Sequence, residues 1–361
     1  MKIFVTGGAG FIGRHLIKSL LSNNHTVTIF DNFSNSSEEG IKDLVKCGVI
    51  VVKGDIRNFY SLLNSISGHD VVIHLAAKID VEESLRMPEV IHDVNVTGTI
   101  NLLRACVENR VESIVAASTA AVYGDAKILP IEENSPTNPI SPYGASKLAM
   151  EHYLQAFSNC YNLNCISLRF FNIYGEGQSS AYAGVITKFM EKILDNSTLD
   201  IFGDGMNSRD LVAVEDVVNA IQLGMKNING KKGNFYNIAS GKSTSINDLA
   251  KLMISISGKN LTIRHKSPRD GDIPHSKASI LSAQKELGYL PNIKLKEGLQ
   301  NLYNSQKLHV GNKICKYCSK NQPELNLFCV ECKKRNWIVG EDDSRMKLKI
   351  SAKDFRKDNH I

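Results

Sequence analysis

Tyr143 and Lys147 stand four residues apart in the run Ser-Pro-Tyr-Gly-Ala-Ser-Lys at 141–147. On a helix, residues i and i+4 share one face, so the phenol and the ammonium point the same way. A free phenol titrates near about pH 10. Service as a base near neutrality needs that value lowered by about 3 units, or about 4 kcal/mol. A neighbouring ammonium stabilises the phenolate and supplies part of this. Pro142 suits the first turn of a helix carrying the pair onward through Met150, Tyr153 and Leu154. Residues 111–117 read as a strand ending at Ser118 and Thr119. Thr119 would then face a cleft at the strand's carboxyl end and hydrogen-bond the hydroxyl that reacts. Tyr-x-x-x-Lys by itself is common among surface residues, so its meaning depends on what precedes it.

What precedes it reads as strand, tight turn and helix. Residues 2–5 are a short apolar run. Gly7, Gly10 and Gly13 follow at Gly-x-x-Gly-x-x-Gly spacing, with Phe11 and Ile12 before the last glycine, and 11–21 has helical apolar spacing. Glycines let the backbone approach a pyrophosphate, and a helix N-terminus offers it free N–H donors and a positive dipole end. Strand 26–30 ends at Asp31, with Asn32 next and no arginine in the following several residues. A carboxylate there suits a ribose 2′-hydroxyl and repels a 2′-phosphate, so NAD is expected rather than NADP. Strand 49–53 leads to Asp55 and Ile56, where the carboxylate could accept from an adenine amine. Strand 71–75 ends at Leu75, and Ala76 and Ala77 are small enough to lie against the cofactor. The expected fold is α/β: a Rossmann-type doubly wound parallel sheet with a smaller α/β substrate-binding part, plus a small C-terminal zinc ribbon.

These motifs identify a resemblance. Over about residues 1–305 the chain resembles an extended short-chain dehydrogenase/reductase, and within that group the nucleotide-sugar epimerases of the UDP-glucose 4-epimerase type. The resemblance is carried by Gly-Gly-Ala-Gly-Phe-Ile-Gly (7–13), Gly-Asp-Ile (54–56), His-Leu-Ala-Ala (74–77), Asn-Val-Thr-Gly-Thr (95–99) and Ser-Thr-Ala-Ala-Val-Tyr-Gly (118–124). Leu-Arg-Phe-Phe-Asn-Ile-Tyr-Gly (168–175), Phe-Gly-Asp-Gly (202–205), Arg-Asp-Leu-Val-Ala-Val-Glu-Asp-Val (209–217) and Pro-Arg-Asp-Gly-Asp-Ile (268–273) continue it. It implies catalytic roles for Thr119, Tyr143 and Lys147, and further cofactor contacts from Asn95, Ser118 and Phe170. Related 4,6-dehydratases place an Asp-Glu pair after the catalytic Ser/Thr, and related decarboxylases keep a glutamate. Here the pair is Ala120-Ala121, which favours epimerisation through a transient 4-keto sugar, with NAD regenerated each cycle.

The same resemblance places Asn172, Arg209 and Arg269 at the substrate diphosphate and Phe202 on the nucleotide base. A guanidinium fork suits phosphate oxygens. It also places Ser276 at a position that limits space around the sugar C2 substituent; serine leaves the pocket open, which permits N-acetylhexosamine or uronic UDP-sugars beside UDP-glucose and UDP-galactose without requiring them. Family members pair through a four-helix bundle. The expected homodimer face comprises Ile91, Val94, Leu102 and Cys106 on one helix and Leu148, Leu154 and Phe157 on another.

Cys315-x-x-Cys318, ten residues, then Cys329-x-x-Cys332 is a zinc-ribbon spacing, with four thiolates for one structural Zn²⁺. Residues 311–361 hold 12 Lys+Arg and 7 Asp+Glu, or 12 − 7 = +5 of the chain's +6 formal charge. A solvated tail is the expected reading, nucleic-acid binding is not favoured, and any protein partner of the ribbon is unknown. The expected division is 1–165 NAD-binding, 166–305 mainly substrate-binding, 306–313 linker, 314–338 ribbon and 339–361 basic tail. No apolar run reaches membrane-spanning length, the N-terminus lacks a signal-peptide shape, and Cys47, Cys106, Cys160 and Cys165 are scattered; a reducing cytoplasm is expected. Two other readings stay open: a reductase of a nucleotide-linked 4-keto sugar, usually NADPH-dependent, and a non-catalytic NAD-binding protein with a zinc-ribbon contact module.

Overall fold

The computed structural model describes residues 1–178, 184–268, 271, 273–310, 313–315, 321–322 and 338–339. Arg269, Cys318, Cys329 and Cys332 lie outside the described residues. Met1–Gln300 form one compact unit and Asn301–Ile361 a second.

Seven parallel strands form the main sheet of the first unit. They are β1 (Lys2–Thr6), β2 (Thr26–Asp31), β3 (Ile50–Lys53), β4 (Val71–His74), β5 (Ser113–Thr119), β6 (Asn164–Phe170) and, later in the chain, β10 (Lys232–Ile238). Their order is β10-β6-β5-β4-β1-β2-β3. The chain therefore reverses direction across the sheet beside β1, and ligands of such sheets sit at the strand carboxyl ends near that point. These strands are apolar almost throughout because helices cover both faces.

Side chains alternate across the sheet. Ile3, Val5, Ile29 and Ile166 pack toward α1 (Phe11–Ser22), α9 (Val214–Lys226) and α11 (Leu281–Leu287). Phe4, Phe30, Val72 and Ile114 pack toward α3 (Phe59–Ser65), α6 (Gly98–Glu108) and α7 (Pro142–Tyr161). The short helices α2 (Lys42–Lys46), α4 (Val81–Arg86) and α5 (Pro88–His92) complete this region, and α5 continues through a π-turn at Asp93–Thr97 into α6.

The remaining elements make a smaller part beside the sheet. Strands β7 (Asn172–Tyr174), β9 (Ser208–Ala213) and β11 (Ser243–Ser245) form one small sheet, and β8 (Leu199–Phe202) pairs with β12 (Ile263–Lys266). Helices α8 (Val185–Leu194) and α10 (Ile246–Ser257) belong here. Helix α12 (Leu295–Val310) runs through residues expected to be linker. In the second unit, Lys313–Cys315 pairs antiparallel with both Asn321–Gln322 and Ile338–Val339.

The apolar stripe expected on the homodimer face is corrected in part. Ile91, Leu102, Cys106 and Leu154 are fully buried within one chain, while Val94, Leu148 and Phe157 are part-buried. The helices carrying them turn those faces onto their own sheet and each other, and burying each leucine there contributes about 1.5–3 kcal/mol. Among the described residues no helix is long and apolar enough to cross a membrane.

Candidate active site

Thr6 ends β1, and the chain turns at Gly7 with φ +70. A Cβ on Gly7 would lie 2.6 Å from Ala76 N, so the turn can press against the end of β4 only as glycine. A Cβ on Gly13 would meet the backbone of Gly8 at 2.5 Å. Gly10 caps α1 with no side-chain hydrogen bond, and the first turn holds no acid. The free N–H groups of that turn therefore face a cavity of about 890 Å³. A helix N-terminus with uncapped N–H groups behind a backbone cradle fits a dinucleotide pyrophosphate.

The cavity brings together most of the residues singled out from sequence. Gly7, Gly10, Phe11, Ile12, Gly13, Asp31, Asn32, Asp55, Ile56, Leu75, Ala76, Ala77, Ser118, Thr119, Tyr143, Lys147, Phe170 and Asn172 all line it. Asp31 accepts from Ala9 N at 3.0 Å and from Phe33 N at 2.8 Å, so it also ties the glycine turn to β2. Asp55 is more heavily engaged. Its Oδ1 accepts from Arg57 N (2.9 Å) and Nε (3.0 Å), and its Oδ2 from Arg57 Nη2 (2.8 Å) and Asn32 Nδ2 (2.9 Å). Arg57 holds this carboxyl down to about 2. Four partners fill a carboxylate's usual capacity, so an adenine amine must displace one of them.

Thr119, Tyr143 and Lys147 sit where β5 meets α7. Ser141 caps α7, accepting from Gly144 N at 3.1 Å, and Pro142 occupies its first turn. Thr119 Oγ1 accepts from Ala121 N at 3.2 Å, and Thr119 and Tyr143 both line the cavity. Burial pushes the Tyr143 phenol up from its ordinary value, and the nearby Thr119 hydroxyl opposes that. Lys147 is 3% exposed and donates to Ala117 O at 2.9 Å. Burial depresses Lys147 to about 8, against the opposing charge of Glu151.

Behind the cavity wall runs a buried polar chain. Thr99 Oγ1 donates to Asn95 O at 2.6 Å and so accepts from His74 Nε2 at 3.0 Å; His74 Nδ1 then accepts from Thr6 Oγ1 at 2.7 Å. These partners assign the neutral Nε2–H tautomer. Burial, aided by the Lys147 charge, lowers His74 to about 3. Asn95 spends its amide on Lys78 N (2.8 Å), Lys78 O (2.9 Å) and Ser146 Oγ (2.9 Å), standing behind the wall rather than in it. Ser146 in turn donates to Tyr143 O at 2.7 Å.

Phe202, Arg209 and Ser276 do not line this cavity. Arg209 Nη1 donates to Ser208 O at 2.9 Å, and Ser276 N donates to the same carbonyl at 3.0 Å, which sets these two residues side by side. Lys266 lies over the Phe202 ring at 5.9 Å. Sequence reasoning missed several cavity residues: Arg14, Arg57, Lys78 and Gln178. Only Arg14 carried a local signal, as a cation just past the third glycine.

Fold and cavity define a dinucleotide-binding α/β protein with a Rossmann-like core. Residues 3–239 match the NAD dependent epimerase/dehydratase family, and the chain belongs to it. It is 35% identical over 304 residues to the UDP-glucose 4-epimerase of Mycolicibacterium smegmatis, covering 83% of this chain and 96% of that protein. The UDP-glucose 4-epimerase of Thermotoga maritima, solved with UDP-glucose, is similar at 34% identity and a TM-score of 0.80, covering 85% of this chain and 99% of that one. The UDP-N-acetylglucosamine 4-epimerase of Methanobrevibacter ruminantium, solved with UDP-N-acetylmuramic acid, is similar at 32% identity and a TM-score of 0.80, covering 84% and 97%.

Proposed function

We propose that this chain interconverts the C4 epimers of a UDP-sugar, with NAD held by the Gly7–Gly13 cradle and Asp31. The carrying observation is that Thr119, Tyr143 and Lys147 line the cradle's own cavity together, with Lys147 held to Ala117 O at 2.9 Å and Ala120-Ala121 next to Thr119. Tyr143 takes the proton of the sugar 4-hydroxyl, and Thr119 orients that hydroxyl. Lys147 lends the positive charge that favours the phenolate. When bound, NAD supplies the reversible hydride acceptor at C4. With alanine at 120 and 121, no acid beside Thr119 can drive elimination from the 4-keto sugar. Tyr143 therefore returns its proton once the sugar has turned its other face.

Asn172, Arg209 and Arg269 hold the diphosphate in this reading, Phe202 the base, and Ser276 leaves room at C2. Purified protein should retain NAD by mass spectrometry and equilibrate UDP-glucose with UDP-galactose or their N-acetylated counterparts by chromatography. Ser276→Tyr should suppress the N-acetylated pair selectively; equal effects on both pairs remove the steric role. Stoichiometric consumption of NADPH, with NADP⁺ released at each turnover, would favour a 4-keto sugar reductase instead.

For assembly we propose a homodimer through the α4 and α7 corner, where Val81 (44%), Leu85 (64%), Met87 (42%) and Tyr153 (39%) are exposed. Exposed apolar groups of this size are a liability unless covered. Light scattering should give a dimer in the wild type and a monomer in Leu85→Glu.

A further inference from the structure

Three consecutive residues of β5 run along one face of α7. Thr119 lines the cavity with Tyr143, Ala117 O accepts from Lys147 Nζ at 2.9 Å, and Ser118 Oγ donates to Glu151 Oε1 at 2.5 Å. The spacing 143, 147, 151 keeps all three on one helix face. Glu151 is 1% exposed. Arg169 of β6, 2% exposed, grips it as a fork: Nε to Oε1 at 2.9 Å and Nη2 to Oε2 at 2.7 Å. The remaining Arg169 nitrogen donates to Tyr123 OH (2.8 Å) and Glu133 O (3.0 Å), and its guanidinium lies over the Phe235 ring at 4.2 Å. A buried ion pair is often no better for stability than apolar residues of the same volume. Its position one turn below Lys147 gives it another use.

We propose that Glu151, clamped by Arg169, is a positioning residue for the Tyr143–Lys147 pair. It fixes the Ser118–Thr119 end of β5 through the Ser118 hydroxyl, and its negative charge keeps Lys147 an ammonium. The inference rests on the catalytic roles proposed above for Tyr143 and Lys147.

The titratable and charged groups around Lys147 come from three elements. Tyr143 and Glu151 share its helix, His74 approaches from β4, and Arg169 stands behind Glu151 on β6. From β5, Ala117–Thr119 offer only hydroxyls and carbonyls. His74 is neutral and burial favours the free amine, so while Tyr143 is protonated Glu151 alone among these groups supports the charge on Lys147. Without that carboxylate, Arg169 is also left unpaired nearby, which acts in the same direction. Tyr143 then loses its cationic partner first on the alkaline side.

The test is the pH profile of kcat for epimerisation. Glu151→Gln keeps the size and an acceptor for Ser118 but removes the charge. Its alkaline limb should move down by about one pH unit, the low end for a lost neighbouring charge, while Glu151→Asp returns it toward the wild-type position. A uniform loss at every pH with the limb unmoved overturns the proposal. Should Glu151→Gln fail to fold with Arg169 unpaired, Glu151→Gln/Arg169→Gln removes both buried charges and is judged by the same limb. Tyr143→Phe runs alongside. Near-normal activity in that variant removes the catalytic reading itself, whereas an unmoved limb beside an inactive Tyr143→Phe removes only the role of Glu151.

Discussion

The ammonium of Lys147 donates to the carbonyl of Ala117 at 2.9 Å, one helical turn from Tyr143. That bond holds the buried Lys147 amine against the end of β5, and Tyr143 lines the same cavity. Tyr143→Phe keeps the ring and removes the proton acceptor. General base catalysis contributes about 10²–10⁴-fold, so kcat should fall by at least about 10²-fold with NAD still retained by mass spectrometry. Lys147→Met should lose a similar factor, since it removes the charge that favours the phenolate while filling much the same volume. Near-normal turnover in Tyr143→Phe would falsify the assignment.

His74 links acid stability to the same wall. Its folded value is about 3 against 6.5 unfolded. The unfolded chain therefore binds the extra proton between these values, and stability falls as pH drops through that window. From about pH 6.5 to about pH 5 the loss from this group is about 2 kcal/mol. His74→Asn removes the titration. Melting temperature in the variant should fall less over that interval than in the wild type, and parallel curves would show that His74 is not the responsible group.

The parts of the site that are local in sequence were legible there. Gly7, Gly10 and Gly13 read as a cradle because each need is met within one turn, and Tyr143 and Lys147 read as a pair because helix geometry alone aligns them. Arg169 could not be read this way. Arginine is mostly exposed, and only the meeting of β6 with α7 buries it against Glu151. The stripe at Ile91, Leu102 and Cys106 was apolar as read, but periodicity cannot tell a face that meets its own sheet from one that meets another chain. Asp55 shows a third limit: its position was legible, and its capture by Arg57 and Asn32 depends on loop packing.

Gly13→Ala tests the cradle without touching the acid/base group. The added Cβ would lie within 2.5–2.7 Å of Gly8 backbone atoms, so the turn must open. Overpacking of this kind costs about 1–3 kcal/mol. The variant should melt earlier and purify with much less NAD than the wild type. Full NAD content would mean that the turn is not what holds the pyrophosphate.

The C-terminal cysteines carry the last prediction. Cys315 ends the strand Lys313–Cys315, which pairs with Asn321–Gln322 and Ile338–Val339. Three strands of this length bury too little surface to hold together unaided. We propose that Cys315, Cys318, Cys329 and Cys332 supply four thiolates to one Zn²⁺, whose binding provides most of the folding free energy there. Four protein ligands leave no open position, so the metal is structural rather than catalytic. Metal analysis of full-length protein purified under reducing conditions should find one zinc per chain. Chelation should unfold the segment near 313–337 and leave the main unit's melting transition in place. A chain ending at Val310 should keep its NAD and its activity, since the cavity is built from residues no later than Leu211. Absence of zinc in the full-length protein would sink the ribbon, and loss of activity on truncation would assign the tail a part in the enzyme's assembly or substrate closure.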